Sequence, residues 1–207
     1  GMLTSWNKGT LLTSVYHRRT KNKFERISYL GEDGIIYIQS MNVAAARAYG
    51  LELNGNYSLS GWLRLTSGFN FFKEEITGSY NGQEFNTSNF SWTNRTSANI
   101  TLPGKWRFQL SGNYEAPRVM PQGKQLSQYF MDFGASKDLF KNKATLGFNL
   151  TDLFNSRIWR STIHTEEIQT QTSFQWRQRS FRLVFTYRFN QQPRETENII
   201  DNGGGGD

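Results

Sequence analysis

Apolar and polar side chains alternate residue by residue through residues 180–189. Phe181, Leu183, Phe185, Tyr187 and Phe189 share one face; Arg182, Thr186 and Arg188 share the other, with Val184 the one apolar exception. An extended chain repeats its side-chain direction every two residues, so this is a strand with one apolar face and one wet face. On a helix the same residues would be scattered around the axis. Upstream, residues 48–59, 62–72, 92–102, 106–115, 126–137 and 144–153 repeat the pattern, and residues 10–19 form a less regular first strand. The expected fold is therefore all-β, with about eight strands.

The connections between these segments alternate in length. Residues 20–47, 73–90, 116–125 and 154–179 are long; residues 60–61, 103–104 and 138–143 are short. Strict alternation in an antiparallel meander places every long loop at one end and every short turn at the other. Outer-membrane barrels have this layout, with short periplasmic turns and long outer loops. Strands of this length match a tilted membrane crossing. With eight strands both chain ends are expected on the periplasmic side. Within the first long connection, residues 24–30 and 35–40 flank Gly31-Glu32-Asp33-Gly34, whose Asp-Gly pair suits a tight hairpin turn. In the last, residues 158–164 and 168–176 are placed to pair as a hairpin beyond the membrane. Residues 73–89 read as a polar loop, and so do residues 116–124, with Pro117, Pro121 and Gly123.

A soluble eight-stranded barrel with its apolar faces inward has the same alternation. Three features favour the membrane. The loop lengths are asymmetric. Rings (Trp62, Trp106, Tyr114, Tyr187, Phe189) sit at strand ends, where membrane barrels carry aromatic belts. The opposite face holds Arg64, Arg107, Asp132, Arg182 and Arg188, which a dry sealed core would accept only at great cost. Aromatics make up 15% of the chain although mean hydropathy is −0.65, a pairing expected of a lipid-facing belt around a wet lumen. The facing expected is Leu53, Leu65, Leu110, Phe148 and Phe185 outward, with Asn54, Arg64, Gln109, Asn149 and Thr186 inward.

Other classes have little to stand on. There is no cysteine, hence no disulfide framework or thiolate metal site. No apolar run is long enough for a membrane helix. The net charge of +7 brings nucleic acid to mind, but the cations alternate with apolar residues or sit in loops, so no nucleic-acid partner is expected. His164 lies near Ser161, Glu166 and Glu167, yet sequence proximity does not make a catalytic triad. Glu74-Glu75 and Glu166-Glu167 are neighbours on extended segments and point apart. No phosphate-binding loop is present. No enzyme activity, cofactor, metal or catalytic residue is expected. Arg18-Arg19, Lys21 and Lys23 beside the first long loop either meet lipopolysaccharide phosphates or form a solvated base.

Three segments resemble one family. Ala48-Tyr49-Gly50-Leu51-Glu52-Leu53 resembles the YGxEL strand of TonB-dependent outer-membrane receptors. Asn149-Leu150-Thr151-Asp152-Leu153-Phe154-Asn155 resembles their NxxDLFN segment, and residues 181–189 resemble their terminal strand. The likeness is nearest to the Bacteroidetes-type outer-membrane barrel branch. It implies a Gram-negative outer-membrane receptor for an unidentified small nutrient ligand, with outer-membrane lipid around it. The barrel-assembly machinery would read the aromatic terminal strand. Such receptors have more strands and a plug, so the chain is expected to be the C-terminal barrel part of one, contacting the TonB complex only through the missing plug. The missing signal peptide points the same way. A complete eight-stranded barrel with a structural or adhesive role stays open as the alternative. Residues 1–190 are expected to form the barrel segment and residues 191–207 a polar, Gly-rich, disordered tail. In isolation the eight strands are expected to close, with Val15 or Tyr16 near Leu183 or Phe185.

Overall fold

The computed structural model describes residues 1–80, 82–165 and 167–189; the tail expected at 191–207 lies outside them. Thirteen strands occur among the described residues: β1 (Met2–Trp6), β2 (Gly9–Leu30), β3 (Ile36–Ser60), β4 (Leu63–Tyr80), β5 (Gln83–Leu102), β6 (Trp106–Glu115), β7 (Arg118–Met120), β8 (Gly123–Gln125), β9 (Gln128–Leu139), β10 (Ala144–Thr151), β11 (Trp159–His164), β12 (Gln169–Phe174) and β13 (Ser180–Tyr187). The main sheet is a nine-stranded antiparallel meander in the order β1-β2-β3-β4-β5-β6-β9-β10-β13. A second, four-stranded sheet, β12-β11-β8-β7, is built from the two later long connections.

Four short turns gather at one end. They are Asn7-Lys8, Gly61-Trp62, Pro103-Gly104-Lys105 and the 3-10 turn Phe140–Asn142. Gly104 (φ 76°) and Lys105 (φ 63°) both take the left-handed conformation that lets a short connection match the twist of its strands. At the opposite end the β2–β3 hairpin turns through Gly31–Gly34. There the Gly34 N–H donates to the Gly31 carbonyl (2.9 Å) and Gly34 has φ 77°, the geometry that its Asp-Gly pair predicted.

Several sequence expectations need correcting. The main sheet has nine strands, because Met2–Trp6 forms β1 along the edge of β2, pairing Met2 with Thr13 and Trp6 with Gly9. An odd count sends the first and last strands the same way: β1 and β13 both run toward the short-turn end, so among the described residues the start of β1 (Met2, opposite Thr13) and the end of β13 (Tyr187, opposite Ala144) do not meet at one end as expected. The predicted closure is absent as well. Val15 and Tyr16 pair with Leu51 and Gly50 of β3, while β13 pairs only with β10, and the sheet stays open. Part of the reason is geometric: β1 occupies the Gly9–Thr13 stretch of the β2 edge, just below Val15 and Tyr16, and a β1–β13 seam would have to be parallel. Residues 73–89 are not a loop. They are the outer halves of β4 and β5, paired through Tyr80 and Gln83. Residues 116–124 likewise hold β7 and most of β8. The hairpin expected within residues 158–176 is present as β11 and β12, from Trp159↔Phe174 to His164↔Gln169.

Candidate functional site

Antiparallel partners lie on the same side of a sheet, so the register sorts side chains without ambiguity. One row runs Tyr57, Leu65, Ala98, Leu110, Phe133, Leu150, Phe181 across β3 to β13. The next runs Leu63, Ile100, Phe108, Ala135, Phe148, Leu183. On the other side, Ser58, Arg64, Asn99, Gln109, Gly134, Asn149 and Arg182 form a polar row, beside Asn56, Thr66, Ser97, Ser111 and Asp132. Every residue of the predicted outward and inward sets falls on its expected side. The apolar side is not a sealed core, since Leu183 and Phe185 are more than half exposed. Among the described residues the buried apolar side chains are Ile27, Ala44, Ala46, Ala48, Ile76, Ala116, Ala144 and Ile168, and none belongs to these apolar rows.

The polar side is hollow. A recess of about 490 Å³ is lined by Gln109, Ser111, Asp132, Asn149, Thr151 and Arg182 among others. A second, of about 340 Å³, is lined by Asn99, Thr101, Arg107, Gln109, Ser136 and Asn149 among others. Gly134 lies between them, and a Cβ there would meet Asn149 Oδ1 at 3.3 Å. Toward the short-turn end the Arg107 guanidinium clasps Asp138 in a fork (2.8 and 2.9 Å), and Asp138 also accepts from the Thr145 hydroxyl at 2.8 Å. Arg188 closes that cluster by donating to Thr145 Oγ1 and the Asn142 carbonyl.

The segments that carried the resemblance have local physical reasons. A Cβ on Gly50 would overlap the ring of Tyr16, which lies across β3 and donates from its hydroxyl to Asn70 Oδ1 (3.1 Å) on β4. Only glycine leaves room for that crossing. Asp152 is fully buried at φ 55°, and Asn155 has φ 54°. Asp and Asn tolerate this left-handed region better than other side chains. The Asp152 carboxylate accepts from the backbone N–H groups of Ser156 (2.8 Å) and Arg157 (3.0 Å), while its own N–H donates to Asp132 Oδ1. Asn155 Oδ1 accepts from the Arg179 N–H, fixing the chain just before β13. Arg157 then lies over the Phe130 ring on the polar side. The motif is thus a folded corner between β10 and the outer connection.

A match over residues 2–187 to the outer membrane protein beta-barrel family decides what these two faces mean. The chain belongs to that family. Neither the curated proteins nor the solved structures give a match. In an outer-membrane barrel the apolar side faces lipid and the hollow polar side faces the lumen. The aromatic rings then fall into two belts. Trp62, Trp106 and Tyr187 lie near the short-turn level; Tyr49, Phe90, Trp92, Tyr114 and Tyr129 lie near the opposite one. Trp92 stacks on Tyr114 (4.5 Å between centroids), and Lys137 lies over Trp106 (4.5 Å). The run from Trp106 to Tyr114 on β6 rises roughly 20 Å at ~3.3 Å per residue and a tilt of about 40°, near the ~25 Å apolar band of such barrels.

Beyond the outer belt β2 and β3 run on to Leu30 and Ile36, roughly 30 Å of hairpin above the membrane at the same rise and tilt. At its tip the Tyr37 hydroxyl donates to Asp33 Oδ2 (2.8 Å) and the Ile35 N–H to Asp33 Oδ1 (3.1 Å). These bonds hold the Asp33 carboxyl below its ordinary pKa and push Tyr37 up. The Gln122 side-chain amide accepts from the Ser28 N–H (2.7 Å) and donates to the Ser28 carbonyl (2.9 Å), so it caps the free edge of β2. Nothing in the sequence signalled that contact, which joins residues far apart in the chain.

The remaining candidates separate. Ser161 is buried in β11, and His164, three residues on, points to the opposite side of that strand. Glu166 lies outside the described residues. Glu74 and Glu75 point apart as expected: Glu74 binds Lys23, and Glu75 binds Lys73, each at 3.0 Å. The basic cluster of the first strand divides. Arg18 sits on the lumen side opposite Ala48, Lys23 is held by Glu25 and Glu74, and Arg19 faces the lipid side opposite Arg47.

Proposed function

We propose that this outer-membrane segment is the C-terminal barrel part of a TonB-dependent receptor for a small nutrient, of the Bacteroidetes-type branch and in a Gram-negative outer membrane. The observation that carries the reading is the pair of open edges at β1 and β13. In hydrocarbon each unpaired backbone group is costly, so a membrane sheet needs further strands or a seam. More strands from the same receptor would supply both edges. The three motif segments in their order add support, and so does the broad polar lumen side, with the Asn, Gln, Ser and Arg groups that orient a small polar solute. The role is binding and passage without catalysis. The exposed aromatic edge of β13 would be read by the barrel-assembly machinery, and TonB would engage a plug outside this segment.

The test uses the intact receptor solubilised from outer membranes. The periplasmic domain of TonB should capture it, and removal of the plug should abolish capture. Failure of the intact protein to bind TonB at all would sink the receptor reading.

One observation favours the alternative of a structural or adhesive barrel. The tip of the β2–β3 hairpin exposes Leu30, Ile35, Ile36 and Ile38, which suits contact with a surface partner. Loss of cell attachment, with nutrient uptake intact, on changing Ile36 and Ile38 to Ser would favour it.

A further inference from the structure

We infer that the outer part of the lumen wall holds a sugar acid, a polyhydroxylated ligand bearing carboxylates, with Arg177 and Arg182 as the carboxylate ligands. The inference rests on the receptor reading and deepens it by naming the chemical class of the nutrient. The site is the recess of about 490 Å³, a volume within the roughly 300–1,000 Å³ of small-molecule sites. Arg177 and Arg182 both line it. Asp132 is the one carboxylate among the described lining residues, and both of its oxygens are taken. Its Oδ1 accepts from the Asp152 N–H (2.8 Å), and its Oδ2 meets the Arg157 guanidinium at 3.5 Å. Among the described residues no carboxylate lies within salt-bridge distance of Arg177 or Arg182. Two guanidinium groups thus line one cavity without a counter-charge, and the donor fork of each suits a carboxylate.

The neutral groups select the rest of the ligand. Gln109, Ser111, Asn149 and Ser180 line the same recess, and among the described residues none of these side chains has a hydrogen-bond partner within the protein. Amides and hydroxyls both donate and accept, as sugar hydroxyls do. Rings offer no surface to stack on. Phe133 and Phe181 also line the recess but belong to the outward row. Phe130, the next lumen-side residue of β9 above Asp132, is covered by Arg157. A flat aromatic ligand finds no platform here, whereas a hydroxylated one finds four open polar groups. The folded corner after β10 fixes Arg177. Asn155 Oδ1 accepts from Gln175 Nε2 (2.9 Å) and from the Arg179 N–H (3.0 Å), the residues two before and two after Arg177. Arg177 is thus held at the outer end of the recess, while Arg182 lies deeper, opposite Asn149 on β10. Two cations at different depths match a ligand with more than one carboxylate.

Isothermal titration of the intact receptor in detergent, with digalacturonic acid and with its carboxyl-reduced neutral counterpart, tests this. The acid should bind, and the neutral disaccharide should bind at least about tenfold more weakly, as for the loss of charge-assisted contacts. Arg177→Gln and Arg182→Gln should each weaken binding of the acid at least about tenfold and leave binding of the neutral disaccharide unchanged. Arg19→Gln, on the lipid side, should bind the acid like the parent. Heat-modified gel mobility reports folding; if Arg182→Gln misfolds, Arg177→Gln, outside the strands, carries the test. No binding of the acid at millimolar concentration, equal binding of the neutral disaccharide, or unchanged affinity in the folded variants would each overturn the inference. Capture by TonB, measured on the same sample, reports the receptor reading separately: a protein that TonB captures but the acid does not bind keeps that reading and loses the sugar-acid assignment.

Discussion

The membrane half of the sheet and its outer half are built from the same strands but governed by different constraints. From Trp106 to Tyr114 on β6, or Leu63 to Phe71 on β4, odd and even positions face lipid and water, and the chemistry alternates accordingly. Above the outer belt β2 to β5 continue with no such division. There Thr77, Ser79, Glu84 and Asn86 are exposed, while on the other side Ala44, Ala46 and Ile76 form a small buried cluster packed by Phe85. Below the belt the solvent dictates the sequence; above it the partner strand alone maintains the ladder. The lesson is that a hairpin outside the membrane can be long and regular without the two-residue hydrophobic signal.

The largest effect should come from a charge placed in the lipid-facing half. In the intact protein Leu110→Arg should cost about 2–4 kcal/mol of folding stability if Leu110 lies near the midplane. Gln109→Arg, one residue away on the lumen side, should stay within about 0.5 kcal/mol. Urea titration of folding into vesicles measures both, and equal costs would break the assignment of faces. Asp152→Ala removes two acceptors from the buried corner after β10, leaving the Ser156 and Arg157 N–H groups unpaired. A loss of about 1–3 kcal/mol is expected, with earlier proteolysis between β10 and β13. Asp152→Asn should recover part of it, since its side-chain oxygen still accepts.

The same arginine test carried above the belt sharpens the comparison. Thr77→Arg, on the outward side of β4, should change stability by less than about 0.5 kcal/mol. A cost near that of Leu110→Arg would mean the membrane reaches higher than the aromatic belt. The smallest effect lies at the hairpin tip. Asp33 has a lowered pKa, so its contribution is present above the ordinary carboxylate range and disappears as pH falls through the lowered value. Amide exchange of the Ile35 N–H should accelerate over that acidic interval and be flat above it. Asp33→Asn should remove the pH dependence.

Alternation is a local property, and it survived intact: the rows through Leu110, Phe148 and Phe185 and through Gln109, Asn149 and Thr186 lie where period two placed them, because side-chain direction in a strand needs no knowledge of its partners. The turn at Gly34 and the short connection at Gly104 were legible for the same reason, since backbone conformation at a glycine is fixed within a few residues. The lumen recesses were legible only as a polar side, because their shape depends on how the sheet curls. Strand number, openness and outer architecture required the tertiary structure. β1 exists through its pairing with Gly9–Thr13 of β2, which makes it one of the two edges of the open sheet, and β4 and β5 extend to Tyr80 and Gln83 because each offers the other a backbone ladder. Asp152, Gly50 and Gln122 have their roles only beside Asp132, Tyr16 and Ser28, contacts made across strands or across loops far apart in the chain. Local sequence sets which way each side chain points, whereas pairing between distant segments is decided by which backbone edges are left to satisfy.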